Sequence, residues 1–204
     1  MKKFRSLAAF MVLLFCFSLA AQAQDDDQDE ARKQAIEAAA KKLSSLDPLT
    51  RQRAAEELAR LTATEQMRLV EGYSLQEKDK RVRLALVWAL YRMGKNEKLY
   101  EVVSELGTSR KAQAQSYLTQ LDNPEFLHPF LRWNDKILVG LLEVLARIGD
   151  AETLKKIEPY TKVVDKKIVE SAKYASDEIN KRLVQPQTQR QTRPRISGDE
   201  KPKL

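Results

Sequence analysis

Residues 79–94 read "DKRVRLALVWALYRMG", and this stretch decides the fold. Its apolar residues recur at helical spacing. Leu86, Leu90 and Met93 form one stripe, and Leu84, Val87, Trp88 and Tyr91 add a second apolar face. A lone surface helix needs only one such face. This helix is therefore either enclosed between neighbours or offering a surface, and the choice turns on whether it stands alone or belongs to a series.

It belongs to a series. Leu58, Leu90, Leu118, Leu145 and Ser176 follow one another at intervals of 32, 28, 27 and 31 residues. Three positions after each stands Leu61, Met93, Leu121, Ile148 or Ile179. Four before each stands Ala54, Leu86, Ala114, Leu141 or Ala172. Offsets of this kind lie on one helical face, and a fixed period marks a repeat architecture.

The punctuation repeats with the pattern. Asp47, Asp79, Asn134 or Asp135, and Asp165 precede the segments and are suited to cap the first free N–H groups of a helix. Pro48 sits at a helix start, where its missing N–H costs nothing. Gly94 and Gly149 stand where a left-handed C-terminal residue is wanted, and Gly107 separates two segments. Shorter amphipathic helices are predicted between, near 31–45, 64–73, 96–106, 124–131 and 150–159. No stretch alternates like a strand. The prediction is all-α: about ten helices in five pairs of about 30 residues each.

Residues 79–94 resemble the second helix of a HEAT repeat, in the short form also called PBS-lyase HEAT-like. Asp79, Val82, Arg83, Ala85, Ala89, Leu90 and Gly94 carry the resemblance. Residues 47–61 are similar through Asp47, Arg51, Ala54, Ala55, Leu58 and Leu61, and 135–160 through Asp135, Ile137, Leu145, Gly149 and Asp150. Residues 110–121 and 165–183 match less fully, with Lys111 and Val169 in the arginine place. The resemblance implies a right-handed α-solenoid of about five HEAT-like helix pairs over 31–184, with the second helices lining a concave side. Stacked pairs share a core that one pair cannot build alone.

The ends read differently. Lys2, Lys3 and Arg5, the uncharged run Leu7–Ala20 and the small-x-small site Ala21-Gln22-Ala23 have the layout of a secretory signal peptide over 1–23. The run falls short of the roughly 20 residues that span a bilayer. Cys16 follows bulky Phe15, which disfavours a lipoprotein reading. Cleavage removes three of 36 basic residues and none of the 29 acidic ones, leaving a net charge of +4 and no cysteine. A disulfide and a thiolate metal site are thereby excluded from the mature chain. Residues 24–30 form an acidic segment and 185–204 a basic, Gln- and Pro-rich tail, and both are expected to be disordered.

The sequence assembles no chemistry. His128 is alone, without a second histidine or an acid cluster at ligand spacing. Asp25, Asp26, Asp27 and Asp29 lack the ordered loop and glycine of a calcium site. Neither a nucleophile elbow nor a phosphate loop occurs. The expectation is an exported, non-enzymatic protein without cofactor, placed in the periplasm, whose partner is another protein and not nucleic acid. Its candidate binding residues are Arg51, Arg83, Leu84, Trp88, Tyr91 and Glu143. Trp88 has no aromatic counterpart in the first, third or fourth segment, and Trp, Tyr and Arg are the types enriched at binding hot spots. Both Trp88 and the arginines also admit a structural role, in the core and in bonds between units. The alternative partner is an anionic membrane surface or cell-wall polymer, held by Lys155, Lys156, Lys162, Lys166, Lys167 and Lys173. A bilin-lyase activity, which the family name suggests, fits an exported chain without cysteine poorly.

Overall fold

The computed structural model describes residues 28–189, with side chains described as far as Val184. The expected leader, most of the acidic segment and the tail beyond 189 lie outside the described residues. Among the described residues the chain is helical throughout and has no strand. No helix among them is long and apolar enough to cross a membrane. Residues 28–30 and 185–189, expected to belong to disordered ends, are helical.

The chain divides into two compact units, one ending at Leu99 and the other starting at Tyr100. Unit one holds α1 (28–42), α2 (Pro48–Arg60), a 3₁₀ turn (Thr64–Gln66), α3 (Met67–Gln76) and α4 (Lys80–Arg92). The boundary falls inside α5 (Lys98–Ser104), which continues into a 3₁₀ turn (Glu105–Gly107). Unit two then holds α6 (Lys111–Leu118), a 3₁₀ helix (Pro124–Arg132), α7 (Asp135–Ile148), α8 (Ala151–Ile157), a 3₁₀ turn (Glu158–Lys162) and α9 (Lys166–Gln189). The segment at 124–132 is a 3₁₀ helix because Asn123 caps it at one end and Pro129 interrupts the α pattern inside it.

Within unit one, α4 packs against both α2 and α3. Val82 and every residue from Leu84 to Leu90 are buried. The second apolar face of the opening stretch is therefore core. Within unit two, α7 packs against α6, α9 and two of the 3₁₀ segments, and it too is buried nearly all round, from Ile137 to Ala146. The repeat offsets identify the core well. Leu58, Leu90, Leu118 and Leu145 are all fully buried, as are Ala114, Leu141, Ala172 and Ile179.

The predicted caps form. Asp47 accepts from the N–H groups of Leu49 and Thr50, Asp79 from those of Arg81 and Val82, Asn134 from Ile137, and Asp165 from Lys167 and Ile168. At the C-termini, Gly94 takes a left-handed φ of +108°. Lys95 N–H reaches back to Leu90 O at 3.0 Å and Gly94 N–H to Tyr91 O at 2.9 Å, a Schellman closure. The same closure ends α2. Ala63 N–H bonds Leu58 O and Thr62 N–H bonds Ala59 O, both at 3.1 Å, and Thr62 takes φ +49°. Its residue type hid this cap from the sequence reading, since a β-branched residue is strained there.

Gly149 corrects the expectation. Its φ of −62° and ψ of 156° are extended, not left-handed. It is glycine because of close packing. A Cβ there would lie 2.6 Å from Leu145 O, 2.7 Å from Ile179 Cδ1 and 2.9 Å from Thr153 Cγ2. Arg182 of α9 closes this end, donating from Nη2 to Gly149 O at 2.8 Å and from Nη1 to Ala146 O. In unit one Arg32 of α1 does likewise at the end of α2, donating to Leu61 O at 2.8 Å.

The three left-handed or crowded positions should respond differently to substitution, as urea unfolding will show. Gly149→Ala should cost about 2 kcal/mol or more through backbone and core overlap. Gly94→Ala should cost about 1–2 kcal/mol through its positive φ. Thr62→Gly should stabilise by about 0.5–1 kcal/mol, because the strained β-branched residue is relieved.

Candidate binding surface

The structure separates the predicted binding residues. Leu84 and Trp88 are buried, Trp88 with only 2 % of its surface exposed. Neither side chain can meet a partner in this conformation, which corrects the expectation that they anchor one. Tyr91, half-buried, stacks on Trp88 with ring centroids 5.4 Å apart and planes 27° from parallel. The Arg92 guanidinium lies 5.8 Å from the Trp88 ring centre, a cation–π arrangement.

Arg51 is a structural clamp. Its Nε and Nη2 donate to Glu77 Oε2 and Oε1 at 2.7 and 3.0 Å, a bidentate pair. Its Nη1 donates to Ser45 O at 2.9 Å and Leu46 O at 3.1 Å. Glu77 also accepts from the Asp79 N–H at 2.9 Å. One guanidinium thus ties the α1–α2 loop to the α3–α4 loop. The partner is the glutamate two residues before the capping Asp79. The Arg51 side chain holds the Glu77 carboxyl below the usual carboxylate range, against the opposing effect of burial. Arg83, in the same repeat place, is exposed and makes no bond among the described residues.

In unit two, Glu143 is taken up by the fold. Its carboxylate accepts from Lys111 Nζ at 2.8 Å and Gln115 Nε2 at 2.5 Å. Three of the six lysines read as a basic surface are paired with acids. Lys155 and Lys156 pair with Glu152 at 3.0 and 3.8 Å, and Lys162 pairs with Glu158 at 2.7 Å. Such exposed pairs describe a solvated face.

What the sequence reading missed lies on "EFLHPFLRW", residues 125–133. Pro124, Leu127 and Leu131 turn inward, and the remaining residues cover two surfaces. On one, Trp133 meets Tyr100 of α5 edge-on at 4.5 Å and Phe130 edge-on at 4.8 Å. Tyr100 is 60 % exposed, and Phe126 on the same 3₁₀ helix is 54 % exposed. On the other, a groove of about 750 Å³ runs between the 3₁₀ helix and α8. It is lined by Glu125, His128 and Arg132 on one side and by Glu152, Lys156 and Tyr160 on the other. His128 is fixed there, its Nε2 3.0 Å from Thr153 Oγ1. The Thr153 hydroxyl donates to Asp150 Oδ1 at 2.9 Å, and its N–H donates to the same atom at 2.8 Å. That N–H is the main cause holding the Asp150 carboxyl below its ordinary range. Among the described residues no group of three or more His, Cys, Asp or Glu could hold a metal ion. The aromatic signal was present as Phe126, Phe130 and Trp133, but it sat in a segment read only as a short amphipathic helix.

No protein-family model matches the chain, and no curated protein sequence matches it either. The repeat resemblance rests on the residues themselves.

Two outcomes follow from this geometry. Trp88→Ala should lower unfolding free energy by about 3–5 kcal/mol, the cost of emptying a fully packed aromatic site, as measured by urea denaturation. For Glu77 the folded carboxyl titrates below the unfolded one. Its stabilisation is therefore complete above the unfolded pKa and is lost as pH falls through the folded one. Melting temperature should drop more steeply for the natural protein than for Glu77→Gln on acidification below about pH 5.

Proposed function

We propose that the chain is an exported HEAT-like repeat protein that binds another protein and performs no chemistry of its own. The observation that carries the reading is the aromatic cluster of Tyr100, Phe130 and Trp133, with exposed Phe126 on the same 3₁₀ helix. Three of these rings meet one another edge-on while Tyr100 keeps 60 % of its surface in water. Aromatic side chains bring large contact area at small entropic cost, and Trp, Tyr and Arg dominate measured hot spots. Arg132, exposed and making no bond among the described residues, stands at the edge of the same 3₁₀ helix.

The repeat reading draws support from the recurrence of cap and core at one register in both units. Stacking of helix pairs into a right-handed solenoid, and use of its concave side, extend that register and belong to the proposal. So does a periplasmic location, which rests on the leader-like residues 1–23. The binding surface moves from Trp88 to Trp133. The first is enclosed, and the second is half-buried with exposed aromatic neighbours.

The test is crosslinked capture of the tagged protein from its native cell envelope, read by mass spectrometry. Tyr100→Ala and Trp133→Ala should each weaken capture of a stoichiometric protein partner about tenfold, equivalent to about 1.4 kcal/mol. Tyr100→Ala should leave the melting temperature unchanged. Full retention of the partner in both variants would overturn the reading.

A further inference from the structure

The groove between the 3₁₀ helix at 124–132 and α8 is polarised along its length. Two bonds set its walls in register. His128 Nε2 lies 3.0 Å from Thr153 Oγ1 toward one end, and the Tyr160 hydroxyl donates to Leu131 O at 2.8 Å toward the other. Glu125 stands one turn before His128 and Glu152 directly before Thr153, so both acids line the first end. Arg132 follows Leu131, and Lys156 stands one turn beyond Glu152, toward Tyr160, so the bases line the second. The two charges on the 3₁₀ wall are uncommitted. The Glu125 carboxylate accepts from the Asn123 amide at 3.2 Å and meets no cation among the described residues, and Arg132 makes no bond among them. On the α8 wall, Lys156 lies 3.8 Å from Glu152, which also pairs with Lys155. Glu125 and Arg132 are seven positions apart, a span of about 14 Å at the 3₁₀ rise of about 2.0 Å per residue.

The chain itself leads back toward the acidic end. Arg182 of α9 donates to Gly149 O, and Gly149 directly precedes Asp150, the cap of α8. From Arg182, α9 runs on to Gln189, about 10 Å further at about 1.5 Å per residue. Residues 190–204 follow, and a fully extended chain of that length can reach about 50 Å, several times the overshoot. Their charge is ordered. Arg190, Arg193 and Arg195 come first, then Asp199 and Glu200. Arg195 and Asp199 are four positions apart, about 13–14 Å in an extended chain, which matches the span from Glu125 to Arg132. Ile196, Ser197 and Gly198 between them carry no charge, and neither do Pro129 and Leu131, which line the groove between Glu125 and Arg132.

We infer that residues 193–200 of the same chain dock in this groove, with Arg193 and Arg195 at Glu125 and Glu152, and Asp199 and Glu200 at Arg132 and Lys156. A groove with an acidic and a basic end gives no net attraction to a uniformly charged partner. It selects a segment whose bases and acids come in the matching order at the matching distance, because charge complementarity fixes register more than it adds affinity. The segment is tethered, so weak contacts suffice: a short flexible linker holds it at an effective concentration on the order of mM. Docking covers one flank of the 3₁₀ helix and leaves the flank of Tyr100 and Trp133 open, so the inference does not rest on the protein-binding reading.

The test uses the chain from residue 24 onward, which has no cysteine, with one fluorophore attached through Ser197→Cys. Anisotropy of the probe is read in dilute solution over a salt series. The natural groove should hold the probe, less so as salt rises. Glu125→Lys/Arg132→Glu reverses the free charges of the groove and should lower the docking equilibrium about tenfold. Its melting temperature should not change, because both side chains are exposed. Arg193→Glu/Arg195→Glu/Asp199→Lys/Glu200→Lys should lower docking as far without touching α1–α9, so it decides the matter if the groove variant melts early. Combining the two reversals should restore docking. A freely rotating probe beside the natural groove would overturn the inference. A probe held equally in every variant would overturn it too, by assigning retention to something other than groove charge. Retention that grows with protein concentration would overturn it by assigning the groove to a second copy. Tyr100→Ala should leave the signal untouched, which keeps this outcome separate from that of the protein-binding reading.

Discussion

Enclosure of a helix that is apolar all round is the constraint on which unit one depends. A helix with a polar face can end a structure, whereas one without it must be covered on every side. Residues 84–90 contain no polar side chain, so α4 must be central wherever it folds. The packing of α2 and α3 against it answers that demand, and Trp88, stacked under Tyr91 and Arg92, fills the largest volume in it. In unit two, α7 keeps a narrow polar stripe of Lys136, Glu143 and Arg147 and buries the rest against α6, α9 and the 3₁₀ segments around it.

Loops in these units are fixed by a few polar groups used to capacity. Arg51 places four donor contacts on one carboxylate and two carbonyls, and Glu77 passes one more bond to the N–H of the next cap. Arg32 and Arg182 perform the complementary task at helix C-termini, donating to carbonyls that the last turn leaves free. A guanidinium suits both tasks because its planar fork offers several donors at once, which an ammonium on a flexible stem does not. This economy has a consequence at the surface. Carboxylates near the α1–α2 and α3–α4 loops are held by caps and by Arg51, and they keep their charge there.

Much of the fold was legible because its signals are periodic. Offsets of −4, 0 and +3 named buried residues in every segment, and the aspartate caps formed where residue type predicted them. The misses share one cause, which is that residue type does not determine conformation by itself. Thr62 adopts the left-handed place that glycine would advertise, and Gly149 is extended, its missing Cβ leaving room for Leu145 O, Ile179 and Thr153. Neither could be read without the neighbour. Arg51 shows the same limit, since its Glu77 partner lies outside the repeat positions compared.

The two tryptophans show what decides whether an aromatic residue is core or surface. Most other segments lack an aromatic equivalent of Trp88, but spareness in a repeat pattern says nothing of exposure. The useful sign was the unbroken apolar run from Leu84 to Leu90 around it, which leaves little direction in which the indole could meet water. Trp133 has Arg132 and Asn134 as neighbours and closes a 3₁₀ helix whose inward places are already held by Leu127 and Leu131. Its ring must lie over the surface, and it gathers Phe130 and Tyr100 there instead of entering the core. A tryptophan with polar neighbours at the end of a short capped segment is free to be recruited by a partner. One in the middle of an all-apolar helix is already committed to the fold.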